Sequence, residues 1–132
     1  MQVIIYEQNG QVAVCVSTGE LPIKEVLAKD CPAGAIIVDD TTLPQGADSV
    51  FFDAWKLNGS TVTVDFPTAQ AHKLRDFNAA AVQVAQKRQL NTLAGIENTS
   101  SDADFMAELT AGRTAIANAK TTTDLIAVSS PA

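Results

Sequence analysis

Apolar positions alternate at the start of the chain and turn helical after Phe66. The opening QVIIYEQNGQVAVCV carries Asn9-Gly10 between two runs rich in β-branched residues, the pattern of a tight β-hairpin. A two-residue turn there pairs Ile5 with Val14 and Val3 with Val16, and sends Ile4, Tyr6, Ala13 and Cys15 to the opposite face. Both faces are apolar, so each needs a cover. A short helix predicted over Pro22 to Lys29, with Ile23, Val26 and Leu27 on one side, is a candidate for one of them. Ala35-Ile36-Ile37-Val38 is a short apolar run bounded by Pro-Ala-Gly and Asp-Asp, which predicts a buried strand followed by a loop.

A second hairpin is predicted in FFDAWKLNGSTVTVD, turning at Asn58-Gly59. That turn places Trp55 opposite Val62, Asp53 opposite Val64 and Phe51 opposite Phe66. Trp55, with Val62, Phe51 and Phe66, is the expected core anchor of a small sheet domain; the alternative is an exposed hot spot for a partner. Asp53 is expected to lie within the apolar face, satisfied by backbone donors or by a partner.

From Pro67 the pattern is helical. Asp65 or Thr68 can act as N-cap, and Pro67 suits a first-turn position where its missing N–H costs nothing. A first helix over about 67–94 would be roughly 40 Å long, more than a domain of about 65 residues can cover. Its stripe, Leu74, Phe77, Ala81 and Val84, is thin; Arg88 takes the next position, and Leu90 with Leu93 restart the pattern out of phase. Ala79, Ala80, Ala81 and Ala85 permit close approach of another helix. That helix can come from a partner, making Leu74, Phe77, Ala81, Val84 and Leu90 an interface; alternatively the stripe packs on the sheet or against the following helix. Gly95 and Asn98-Thr99-Ser100-Ser101 mark the break. A second helix over about 102–119 opens with Ser101 as cap and Asp104 three residues later, close to a capping box. Phe105, Leu109, Ala115 or Ile116 and Ala119 trace its stripe. Thr121-Thr122-Thr123 weakens it, and the end of the chain is expected to fray unless a partner orders it. The fold class is therefore α+β: a β-rich domain over 1–65 with one short helix, then a helical arm or hairpin over 66–132.

Charge sharpens this division. The acidic residues before Phe66 meet only Lys24, Lys29 and Lys56, so that part carries the whole formal net charge of -6, while charges after it cancel. An acidic sheet domain repels phosphate backbones and anionic lipid heads, which argues against nucleic-acid or membrane-surface binding. No apolar run approaches the ~20 residues of a membrane span, and no signal segment opens the chain. A soluble protein made in the cytoplasm is expected.

Catalytic chemistry has no sequence support. His72 lies on the polar side of the first helix without a cysteine, second histidine or serine nucleophile nearby, as a solvated surface histidine would. The acidic stretch Asp39 to Asp48 lacks the alternating oxygen ligands and closing glutamate of a calcium loop, and adjacent Asp39-Asp40 make a poor acid/base dyad. Hydrolase, zincin and nucleotide-binding motifs are absent, so no enzyme activity, cofactor or metal is expected. The two cysteines, Cys15 and Cys31, are too few for a disulfide framework. They read as reduced thiols, although Cys31, in the turn Asp30-Cys31-Pro32-Ala33-Gly34, can form a bond between chains if the assembly leaves a reducing compartment.

The segment GELPIKEVLAKDCPAGAIIVDDTTLP, followed by FFDAWKLNGSTVTVDFPTAQAHKLR, resembles a family of small proteins encoded among the tail genes of tailed bacteriophages. Pro32 and Gly34, Asp39-Asp40, Asp53-Ala54-Trp55 and the Ala71-His72-Lys73-Leu74-Arg75 helix start carry the resemblance; Cys31 stands where that pattern has valine. The ending also looks, more loosely, like the C-terminal part of tail-fibre assembly chaperones. This resemblance implies a non-enzymatic virion structural protein at the tail fibre or baseplate, forming homo-oligomers or binding other tail proteins. An assembly chaperone that leaves is the alternative, and a cell-wall-degrading enzyme, which lacks its acid/base pair, a third.

Overall fold

The computed structural model describes residues 1–132 and contains two compact units, Met1–Phe66 and Pro67–Ala132. Strands β1 (Gln2–Gln8) and β2 (Gln11–Cys15) pair antiparallel with Ile5 opposite Val14 and Ile4 opposite Cys15, in the register expected from the Asn9-Gly10 turn. Both turn residues have positive φ, 54° and 78°, the geometry of a type I′ turn, which Asn-Gly adopts readily. The pairing stops at Cys15, so the expected Val3–Val16 pair is not made, and Val16 is exposed.

Helix α1 (Ile23–Asp30) leads to β3 (Ile36–Asp39), which pairs antiparallel with the other edge of β1 to give the order β2-β1-β3. Val3 and Ile5 point into one core with Val12, Trp55 and Val62, while Ile4, also fully buried, points the other way. Since α1 packs near β1 and β3 with Ile23, Val26 and Leu27 half-buried, it supplies the cover that the second face needs. Complete burial of such aliphatic side chains contributes about 1.5–3 kcal/mol each, which makes the central strand the main source of stability in this unit.

The loop after β3 is anchored by polar contacts. Asp39 accepts from the Thr41 backbone N–H at 3.0 Å and its hydroxyl at 2.8 Å, while the Met1 ammonium donates to Asp40 at 3.0 Å. A one-turn helix, α2 (Ala47–Val50), and a 3₁₀ turn (Phe52–Ala54) then deliver the chain to β4 (Trp55–Asn58), which pairs with β5 (Thr61–Val64).

The second hairpin departs from the expected register. Trp55 lies opposite Val64 and Leu57 opposite Val62, a two-residue shift. Asn58 remains in the strand, and the turn is Gly59-Ser60 with positive φ, 65°, at Gly59 alone, as in a type II′ turn that takes glycine first. Because the shift is even, the apolar face survives with different partners. Asp53 and Phe51 lie outside the ladder: Asp53 is exposed in the 3₁₀ turn, and Phe51 is half-buried before it. Phe66 is likewise half-buried and begins a helix, so no Phe51–Phe66 pair forms.

Helix α3 (Phe66–Leu93) starts directly after Asp65 and places Pro67 in its first turn. It ends at Gly95, where the N–H of Ile96 donates to Asn91 at 2.8 Å and that of Gly95 to Thr92 at 3.2 Å, a Schellman closure. Helix α4 (Asp102–Asn118) is capped by the Ser101 hydroxyl, which accepts from the Asp104 N–H at 3.1 Å. α5 (Thr122–Ala127) follows, and its Thr121–Asp124 capping box shows that the threonine cluster starts a helix as well as ending one. Contrary to the expected fraying, Leu125 is fully buried, Pro131 is buried, and the Ala132 N–H donates to Glu108 on α4 at 3.2 Å.

Candidate protein interaction surface

The α3 stripe is covered by the chain's own α4. Phe77 and Ala81 are buried, Val84 is half-buried, and Phe105, Leu109 and Ile116 are buried on α4. Gly112 provides the close approach: a β-carbon there would overlap the Phe77 ring. Polar contacts bracket this seam. Gln70 donates to the carbonyls of Ile116 at 2.8 Å and Ala117 at 3.2 Å, satisfying the C-terminal end of α4, and Arg113 donates to Asn78 at 3.0 Å.

At the other end the next stripe position, Arg88, is also buried. Its guanidinium lies 4.8 Å from the centroid of the Phe105 ring and donates to the Ser100 hydroxyl at 3.0 Å, the Ser100 carbonyl at 2.8 Å and Asp102 at 2.9 Å. An arginine that looked like a break in the stripe therefore continues it. Its stem packs while its head satisfies the turn between helices.

Of the five residues expected to form a partner interface, Phe77 and Ala81 are thus consumed within the hairpin and Val84 partly so. Leu74 sits at the seam's edge, 36% exposed, beside Gln70, Arg113 and Ile116. Leu90 is 65% exposed. Other uncovered apolar side chains of this unit were absent from the expected interface: Leu93 at 78%, Ile96 at 58%, and Val82 and Met106 at 57% each. Val82, Gln89 and Leu93, spaced i, i+7 and i+11, share one face of α3, and Leu90 is the i, i+3 neighbour of Leu93. Leu93 and Met106, with Phe105, Ala85 and the Arg88 stem, line a hollow of about 480 Å³ between α3 and α4. The out-of-phase restart at Leu90 and Leu93 was the available sequence signal: residues that leave a seam's phase face away from it.

Trp55 is buried as the core anchor, with its indole N–H donating to the Asp48 carbonyl at 3.0 Å, and Val62 is buried beside it. Phe52, 41% exposed, tilts against Trp55 with ring centroids 4.7 Å apart. Like Cys15, Cys31 is a half-buried free thiol. Burial, the neighbouring Cys15 and Asp30 push its pKa up.

No group of three or more His, Cys, Asp or Glu side chains is placed to hold a metal ion, and no helix is long and apolar enough to cross a membrane. No protein-family model, curated protein or solved structure matches the chain.

Proposed function

We propose that the chain is a non-enzymatic structural component of a bacteriophage tail, at the fibre or baseplate, attached through its helical unit to copies of itself or to a fibre protein. It would be made in the host cytoplasm and carried in the virion. The tail context comes from the resemblance of the Gly19–Pro44 and Phe51–Arg75 segments. The observation that carries the attachment is the uncovered apolar surface of the helical hairpin: Val82, Leu90, Leu93 and Met106 are each more than half exposed, and Leu93 and Met106 line the hollow between α3 and α4. Such a face, beside a seam already filled, offers apolar area to a second surface without unfolding the hairpin.

A Leu90→Asp, Leu93→Asp double variant tests this. Both residues lie off the α3–α4 seam, so helicity and melting should stay close to wild type while incorporation into particles falls by at least an order of magnitude, as expected when a small cluster dominates an interface. Incorporation at the wild-type level would reject the surface. A chain that binds a fibre protein in lysates yet is missing from finished particles would fit an assembly chaperone instead.

A further inference from the structure

We propose that β3 is an open sheet edge that pairs antiparallel with β3 of a second copy of this chain, joining the two three-stranded sheets across a two-fold axis at Ile37. This surface belongs to the first unit and does not depend on the attachment proposed for the helical hairpin.

β3 is one edge of the order β2-β1-β3. Gln8 opposite Gln11 closes a two-residue hairpin, so Gln8, Tyr6 and Ile4 exchange backbone hydrogen bonds with β2, and Val3 and Ile5 turn theirs to β3. Their partners there are Val38 and Ile36, and the Asp40 N–H continues the series by donating to the Met1 carbonyl at 2.8 Å. Ala35, Ile37 and Asp39 therefore direct their backbone groups away from β1. The Ala35 N–H is taken by the Pro32 carbonyl at 3.2 Å, and the Asp39 carbonyl by the Thr42 hydroxyl at 2.7 Å. The Ile37 N–H and carbonyl, the Asp39 N–H and the Ala35 carbonyl have no partner within the chain.

This set of free groups is complementary to itself. About an axis through Ile37, the Ile37 residues of the two copies exchange both of their bonds, and each Asp39 N–H meets the Ala35 carbonyl of the other copy. The groups already engaged, the Ala35 N–H and the Asp39 carbonyl, fall opposite each other, so no free group is stranded. The side chains agree. Ile36, Ile37 and Val38 are half-buried, and no lysine, proline or bulge interrupts them as a guarded edge would require. Asp39 comes to lie opposite Ala35 and Asp40 opposite Gly34, so no carboxylate faces another in this acidic unit. The other edge of the sheet is covered within the chain: β2 runs beside β4, where the Lys56 ammonium donates to the Gly10 carbonyl at 3.5 Å. β5 exposes Thr61 and Thr63, so a strand added there would meet polar side chains on one face.

The test uses sedimentation equilibrium of the full chain carrying Leu90→Asp and Leu93→Asp, which removes association through the helical hairpin, together with amide exchange of the wild-type chain across a concentration series. A reversible dimer is expected. In dilute wild-type protein the Ile36 and Val38 amides should be protected and those of Ile37 and Asp39 should exchange freely; in concentrated protein the latter pair should slow by about tenfold or more. Ile37→Pro removes an N–H that the sheet does not use, so it should leave the fold intact and weaken the dimer by at least about tenfold. A monomer at every concentration, or a dimer in which the Ile37 and Asp39 amides exchange as fast as in the dilute sample, would overturn the proposal. The wild-type amides decide this even if Ile37→Pro folds poorly, and neither result bears on incorporation through the helical hairpin.

Discussion

The Phe77 ring on α3 occupies the space that a β-carbon at Gly112 on α4 would fill. Alanine at 112 would gain about 1 kcal/mol of helix propensity, but its methyl would overlap a buried ring, and overpacking costs about 1–3 kcal/mol. Gly112→Ala should therefore destabilise the helical unit by up to about 2 kcal/mol in urea unfolding. Adding Phe77→Leu should recover part of that loss, and strict additivity of the two changes would show that they do not share the space.

Arg88 should matter more than its ion pair. Its side chain is 10% exposed, whereas that of Asp102 is 93% exposed, so most of the stabilisation belongs to the Ser100 bonds and the Phe105 stacking. Asp102→Asn should cost less than about 1 kcal/mol, and Arg88→Ala about 2–3 kcal/mol by leaving the turn unsatisfied. Arg88→Lys should restore only part of this, because an ammonium lacks the planar fork. Equal losses for Asp102→Asn and Arg88→Ala in unfolding titrations would return the weight to the ion pair.

Asp124 gives the C-terminal helix an acid-sensitive cap. The Lys120 N–H at 3.0 Å, opposed in part by burial and aided by the Thr121 N–H at 3.2 Å, holds its carboxyl below the ordinary range. A lowered folded-state pKa means that this stability is complete above the unfolded value of about 4 and is lost as pH falls through the folded-state value. Asp124→Asn should thus melt below wild type at neutral pH, with the gap closing as the pH falls below the ordinary carboxylate range. A pH-independent gap would assign the effect to packing.

Trp55 should be the least replaceable residue of the first unit. Trp55→Phe gives up the bond to Asp48 and some volume, about 1–2 kcal/mol, whereas Trp55→Ala should cost about 3–5 kcal/mol. In a unit of this size the larger loss approaches the whole stability. Hydrogen exchange at Val3 to Glu7 reads it directly: protection should collapse in Trp55→Ala and survive in Trp55→Phe.

The α+β architecture was legible because its signals are local. Asn9-Gly10 fixes the first register, Ser101 and Asp104 mark the start of α4, and Gly95 closes α3. Asn58-Gly59 misled because the same dipeptide can supply both turn residues or only one, and Gly59-Ser60 satisfies a type II′ turn as well as Asn-Gly does type I′. The assignment of the Phe77 stripe depended on which neighbour filled it, and a thin apolar row does not identify its own cover. Gly112 was the missing clue: glycine in a helix interior is costly, and here it admits an aromatic ring.

The tail role is tested most directly by quantitative mass spectrometry of purified mature phage particles from cells that express this chain. A structural component predicts its presence at a fixed copy number per tail through successive purifications. Its absence from mature particles, while it is abundant in the same lysate, would contradict that role.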